Sequence, residues 1–400
     1  MSFYLPIGPI HPALKEPLNF IFKVEGELVI DAEPNIGFAH RGIEKLMENK
    51  TWMQNAFLAE HICGICSADH QGCYTQGAEI IYEKKPPERG LFIRTLVWEL
   101  ERIHSHLLWI GVAMHEAGFD TFFMYAWRDR EVVLDLFEAL CGRRVVYSMS
   151  TIGGVRRDLP PRFAEKIKKF VPYIKKRMKV YEDLALRDQT ILARFQNVGI
   201  LKKSDAIDLG AVGPTARGSG VKRDVRYEES YGAYEGSPYR IVVEDAGDSL
   251  AKLLVRIKEI VVSADILEYL VDNMPSGPIN LNLPPMAKPP VNEAFSRVEA
   301  PRGELVYYLK SDGNLKPYRV KVRTPTLANI TSVVAMVKGM YIADIPVVYA
   351  SIDPCIGCMD RVLIIDTKKR KQKIMTKEEL IHFSNKWFKR HLNELKEERA

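Results

Sequence analysis

The strongest constraint on this chain is a spacing that occurs twice, once towards each end. Cys63-Gly64-Ile65-Cys66 and Cys355-Ile356-Gly357-Cys358 are separated by 288 residues. A C-x-x-C turn brings two sulfurs to one side of the backbone, and Gly64 and Gly357 give such turns conformational freedom. Two pairs together make four thiolates, donors suited to zinc, iron–sulfur clusters, copper(I) or nickel. Zinc modules usually hold their pairs roughly 15–20 residues apart and stabilise folds too small for a core. A chain of 400 residues, 46% of them hydrophobic, needs no such help. A shared site would instead tie distant parts of one large fold together. Spacing alone leaves zinc, an iron–sulfur cluster, another metal and redox disulfides open. Cys73 and Cys141 stand alone and read as buried small apolar residues.

Hydrophobic periodicity predicts an α+β fold, mainly a helical core with small β additions. Residues 1–50 are β-rich: Phe20–Val24 and Glu27–Ile30 are strand-like runs around a turn at Gly26. Residues 51–361 form the helical part. Leu96, Leu100, Ile103, Leu107 and Ile110 mark one apolar stripe on a long helix from Leu91 to His115. Further helices are expected over Arg130–Val146, Pro161–Asn197, Ser249–Asn273 and Leu327–Tyr341, with a strand at Glu304–Leu309. Residues 362–400 form a basic extension with 11 Lys/Arg against 6 Asp/Glu, while the rest of the chain is nearly neutral. A near-neutral body argues against a nucleic-acid partner. No run approaches the ~18 apolar residues that cross a bilayer, and the N-terminus carries no signal-peptide pattern.

The sequence around the pairs narrows the choice. Glu60-His61-Ile62-Cys63-Gly64-Ile65-Cys66-Ser67-Ala68-Asp69-His70 and Asp353-Pro354-Cys355-Ile356-Gly357-Cys358-Met359-Asp360-Arg361 resemble the two signatures of [NiFe] hydrogenase large subunits. His61 departs from an arginine common at that place. Gly8–Pro12, Ile36–Leu46, Arg102–Trp109 and Glu299–Leu305 look like the quinone-site (49 kDa-like) subunit of respiratory complex I, which lacks the four cysteines. Together these resemblances cover nearly the whole chain and point to the membrane-bound, energy-converting hydrogenases.

The resemblance implies a nickel held by Cys63, Cys66, Cys355 and Cys358, with Cys66 and Cys358 bridging to an iron that carries carbon monoxide and cyanide. It implies reversible reduction of protons to H2. Pro301-Arg302 matches a family arginine that overhangs the iron, whose planar fork suits donation to cyanide; an ordinary loop arginine is the alternative. Asp353 is its expected partner. Glu16 matches a proton-relaying glutamate, against the alternative of an exposed loop residue. His70 is expected to hydrogen-bond near the site rather than to ligate, and His104 and His106 to be satisfied core histidines. The glycines of Gly213–Gly220 suggest a close backbone approach. Two isolated cysteines cannot hold a cluster, so a small partner subunit with a [4Fe–4S] cluster is implied. So are membrane-arm subunits, placing the chain peripherally on the cytoplasmic side of the membrane. Ferredoxin or formate-derived electrons would both serve. A redox subunit reducing a quinone or a sulfur compound is the alternative function. In many members the tail is removed after the residue matching Arg361; a retained docking helix, starting with the capping box Thr376–Glu379, is the rival reading.

Overall fold

The computed structural model describes residues 2–229, 231–359, 365–366, 371–372 and 377–397. Three strands, β1 (Ser2–Ile7), β2 (Asn19–Glu25) and β3 (Leu28–Asn35), form an antiparallel sheet in the order β1-β2-β3. Phe20, Phe22 and Val24 alternate inward along β2, and Gly26, at φ 61°, turns the chain into β3.

The helical part follows as α1 (Trp52–Glu60), α2 (Ser67–Ile81), α3 (Glu88–Glu116), α4 (Asp120–Cys141), α5 (Phe163–Arg187) and α6 (Ser249–Asp272). The long α3 packs between α4 and α6, and α5 leans on α6. The five stripe residues of α3 are all fully buried, yet so are Glu99, Glu101, Arg102, His104, Ser105 and His106 on the same helix. A second antiparallel sheet, β4 (Val291–Ala300), β5 (Gly303–Asp312) and β6 (Arg319–Arg323), lies against α2. The chain ends in α7 (Pro325–Val337), α8 (Ile345–Ser351), the single turn α9 (Ile356–Met359) and α10 (Lys377–Glu397).

Apolar side chains form two cores. One joins α1 to α6 with the second sheet; the other packs the first sheet on α7 and α8. The short α9 lies on the seam: Cys358 belongs to the first core, Ile356 and Met359 to the second.

Several boundaries differ from the sequence expectation. The Arg130–Val146 helix instead begins at Asp120 and stops at Gly142, whose φ of 75° ends it. The helix over Pro161–Asn197 is broken at Asp188, whose carboxylate caps a new helix by accepting from Thr190 N and Ile191 N. The helix to Tyr341 stops at Val337, ahead of left-handed Gly339. Cys73 and Cys141 are buried as expected. Arg361 and Thr376 lie outside the described residues. Among the described residues no helix is long and apolar enough to cross a membrane.

Candidate metal centre

The two C-x-x-C pairs meet. Cys355 Sγ lies 2.8 Å from Cys358 Sγ and 3.5 Å from Cys63 Sγ, and the sulfurs of Cys63, Cys66 and Cys358 lie within 4.8 Å of one another. All four thiols are buried and free, and none of these separations is the ~2.05 Å of a disulfide. Cys63, Cys66 and Cys358 form a group that could hold a metal ion, and Cys355, outside that group, adjoins it through Cys63 and Cys358. With metal–sulfur bonds of ~2.3 Å, thiolates this close suit a bound metal. Hydrogen bonds from Cys355, Cys358 and Cys66, with the nearby Arg302 charge, hold the Cys63 thiol well below its ordinary range. Burial pushes Cys358 up.

Each pair is aimed by the helix after it. Cys66 stands immediately before α2, whose first N–H groups are free. The buried Glu101 of α3 takes them: its Oε1 accepts from Ala68 N at 2.9 Å and Ser67 Oγ at 3.1 Å, its Oε2 from Asp69 N at 2.9 Å. Cys355 stands immediately before α9, and there Glu16 accepts from Ile356 N and, at 3.2 Å, from Gly357 N. Thr326 Oγ1 accepts from Cys355 N at 3.1 Å. Arg41 joins the two arms: its guanidinium donates to Ile62 O at 2.6 Å and Gly357 O at 3.0 Å.

Arg302 reaches the cluster from a two-residue hairpin turn. Ala300 pairs with Gly303, which leaves Pro301-Arg302 as the turn, and Gly303 takes φ 125°. Gly213 is pressed against the same turn; a Cβ there would come 2.3 Å from Arg302 O, which accounts for that loop's glycine. The buried guanidinium donates to Asp353 O at 2.9 Å, Asp353 Oδ1 at 2.8 Å and Ser105 Oγ at 3.4 Å. Burial opposes its charge, but Asp353, Cys355, Cys66 and Cys63 hold it protonated. Asp353 sits at φ 55°, a left-handed position that aspartate tolerates, and this turns the chain towards Cys355. Burial pushes its carboxyl up, against the pull of Arg302 and Arg256.

His70 Nδ1 is 2.8 Å from Tyr307 Oη, and burial lowers its pKa to about 4, so the ring is neutral at pH 7. It stands near the cluster as a hydrogen-bonding residue; among the described residues the group of potential metal ligands contains no histidine. His106 is satisfied at one nitrogen: Nε2 lies 2.8 Å from Glu259 Oε2, while Nδ1 has no partner among the described residues. His104 departs from expectation: it is fully buried, but neither ring nitrogen has a partner among the described residues.

A cavity of about 670 Å³ leads to the cluster. Cys63, Cys355, Arg302 and Glu16 line it, and Cys66 and Cys358 lie behind. Lys15, His40, Arg41 and His61 contribute polar wall; Phe38, Leu108, Trp109 and Tyr349 contribute apolar wall. Sequence reasoning missed Arg41, Glu101, Ser105 and Tyr307. Arg41 falls inside the Ile36–Leu46 stretch that carries a resemblance; a charged Glu101 beside an apolar stripe was the one signal for the second.

Residues 116–292 and 285–361 match the family described as the respiratory-chain NADH dehydrogenase 49 Kd subunit, and residues 41–111 match nickel-dependent hydrogenase. The chain belongs to this oxidoreductase family. The alpha subunit of a membrane-bound hydrogenase of Pyrococcus furiosus is 41% identical over 95% of the chain and 92% of its own length. An NADH-quinone oxidoreductase subunit of Desulforamulus reducens is 37% identical over 90% of the chain and 98% of its own length. Among solved structures, a chain of an archaeal membrane-bound sulfane sulfur reductase superposes with a TM-score of 0.85 at 34% identity, over 90% of this chain and 98% of that one. The fold is thus the 49 kDa-like one shared by family members in several membrane complexes.

Proposed function

We propose that this chain is the catalytic large subunit of an energy-converting [NiFe] hydrogenase. The observation that carries the reading is the convergence of four cysteine sulfurs beneath a buried arginine. Cys63, Cys66, Cys355 and Cys358 would hold the nickel, with Cys66 and Cys358 shared with an iron bearing carbon monoxide and cyanide. When bound, that group supplies heterolytic splitting of H2 and its reverse. Cys63 and Cys355 line the cavity, Cys66 and Cys358 do not, and the four together would hold the group at its inner end. Arg302 offers a rigid cationic fork held by Asp353. Glu16, half-buried on the cavity wall, accepts protons from the Cys355 side and passes them to water. Electrons would pass to a small subunit with a [4Fe–4S] cluster, and membrane-arm subunits would hold the assembly on the cytoplasmic side of the membrane. Residues 362–400 would be removed after Arg361, which the intact mass of the active subunit reads directly. Metal analysis with infrared spectroscopy tests the whole: nickel and iron near one to one, with bands of bound carbon monoxide and cyanide, support it. Zinc alone would sink it.

The cavity favours a second reading. A volume of about 670 Å³ far exceeds what H2 requires and suits a quinone head or a polysulfide. The sulfane sulfur reductase neighbour points the same way. Reduction of polysulfide or of a soluble quinone by the purified complex, without hydrogen turnover, would replace the first reading with this one.

A further inference from the structure

Behind Cys66, on the side away from the cavity, lies a second group of titratable side chains. Asp69 in the first turn of α2 and Glu101 on α3 are both buried, and Glu101 Oε2 accepts from Asp69 N at 2.9 Å, which sets the two residues side by side in one pocket. Glu101 also accepts the three donors of the α2 terminus, whereas Asp69 Oδ2 finds no partner among the described residues. Facing them from the loop after α4 is Tyr147, whose hydroxyl is buried and likewise unpartnered among those residues. Its ring stacks on Phe137 at 3.7 Å, and after burial itself the charge of Glu101 acts on it most strongly. Arg130 of α4 follows, with an Nε unpartnered among the described residues and a side chain 11% exposed. Such a row of buried polar atoms without protein partners is where ordered water sits. The other charged groups around the pair are Glu99 and Arg102 of α3 and Arg226 of the turn Val225–Glu228.

We propose that Asp69 and Glu101 form a proton-holding pair behind Cys66, a second place besides Glu16 where a proton leaving the cluster is taken up, with Tyr147 and ordered water carrying it on towards Arg130. Two carboxyls in one dry pocket do not both ionise readily, so near neutral pH the pair keeps one shared proton that belongs to neither residue alone. Burial pushes both carboxyls up, and the charge of Asp69 pushes Glu101 further. Taking up a second proton makes the pair neutral; releasing one to water restores the singly charged state. The inference rests on the proposed function only in having the cluster handle protons.

Infrared spectroscopy of the full-length, metal-free protein tests the shared proton directly. At pH 7 the wild type should show a protonated carboxylic C=O stretch that shifts in D2O and disappears in Asp69→Asn. A spectrum unchanged by Asp69→Asn, in a variant whose circular dichroism matches wild type, overturns the proposal. In the loaded enzyme, two parallel exits predict synergy: Asp69→Asn combined with Glu16→Gln should lose about tenfold more turnover than the product of the single effects. Purely multiplicative effects overturn the second exit. Because the first readout uses metal-free protein, a holoenzyme without hydrogen turnover would count against the proposed function alone.

Discussion

Cys66 and Cys355 each lead into the first turn of a helix, and each first turn gives its free N–H groups to a glutamate. The two glutamates differ in their surroundings. Glu101 is fully buried and lies 32 to 34 residues along the chain from the groups it binds. Glu16 is half-buried on the cavity wall and comes from 340 residues away. The capping chemistry is the same, so the difference in water access sets what each can add. Glu101 is walled off from solvent, so any proton it shares must travel through its neighbours, whereas Glu16 meets the water of the cavity directly.

The comparison is broken most completely by removing a sulfur from either arm. Cys66→Ser and Cys358→Ser should each abolish metal loading, seen as loss of bound metal by elemental analysis; full loading in either variant would remove that residue from the site. The next largest effect separates the glutamates. Glu101→Ala strands three buried donors and should destabilise the protein by about 4 kcal/mol, whereas Glu16→Ala, at a half-exposed cap, should cost about 1 kcal/mol. Denaturant unfolding of the two variants measures the gap, and equal losses would contradict the assignment of one dry and one wet arm. Arg302→Lys keeps the charge but loses the fork to Asp353, and should retain metal while lowering turnover about a hundredfold. Unchanged turnover would take Arg302 out of the mechanism.

A smaller effect comes from pH. His70 is held near 4, below its ordinary 6.5. Between these values the unfolded chain binds a proton that the native state does not, so stability falls as pH drops through that window. His70 alone should contribute a loss of about 3 kcal/mol at the acid end. Stability measured between pH 7 and 4 should therefore fall less steeply in His70→Gln, and parallel curves would show a charged native His70. The smallest expected change is Tyr307→Phe, which removes one hydrogen bond to His70 and should cost about 1 kcal/mol in the same unfolding measurement.

The elements visible in advance were those whose cause is local. The Phe20–Val24 alternation, the α3 stripe and the two C-x-x-C turns each follow from residues a few places apart, and each stands where the sequence placed it. The break at Asp188 was also written locally, as an N-cap aspartate, but the apolar spacing continued through it and hid it. Arg41, Ser105 and Glu101 were not legible as site residues, because what defines them is a partner across the fold: Gly357 O, the Arg302 guanidinium and the α2 terminus. His104 and Asp69 stayed hidden for a different reason. Their oddity is a buried polar atom without a partner among the described residues, and that appears only when neighbours are known.

The guanidinium of Arg41 touches Ile62 O and Gly357 O together, so it clasps a part of the chain made early to a part made late. As the chain emerges from the ribosome, Arg41 and the first cysteine pair are complete while the second pair is still unmade. Closing so long a loop carries an entropic penalty that grows only as the logarithm of its length, so the wait, more than the closure, sets the sequence of events. Of the elements that build the site, the single turn α9 is made last, and the groups that receive it, on Glu16, Arg41 and Thr326, are all made before it. A chain truncated before Cys355 should form most of both cores and still offer any ion one C-x-x-C pair, not two.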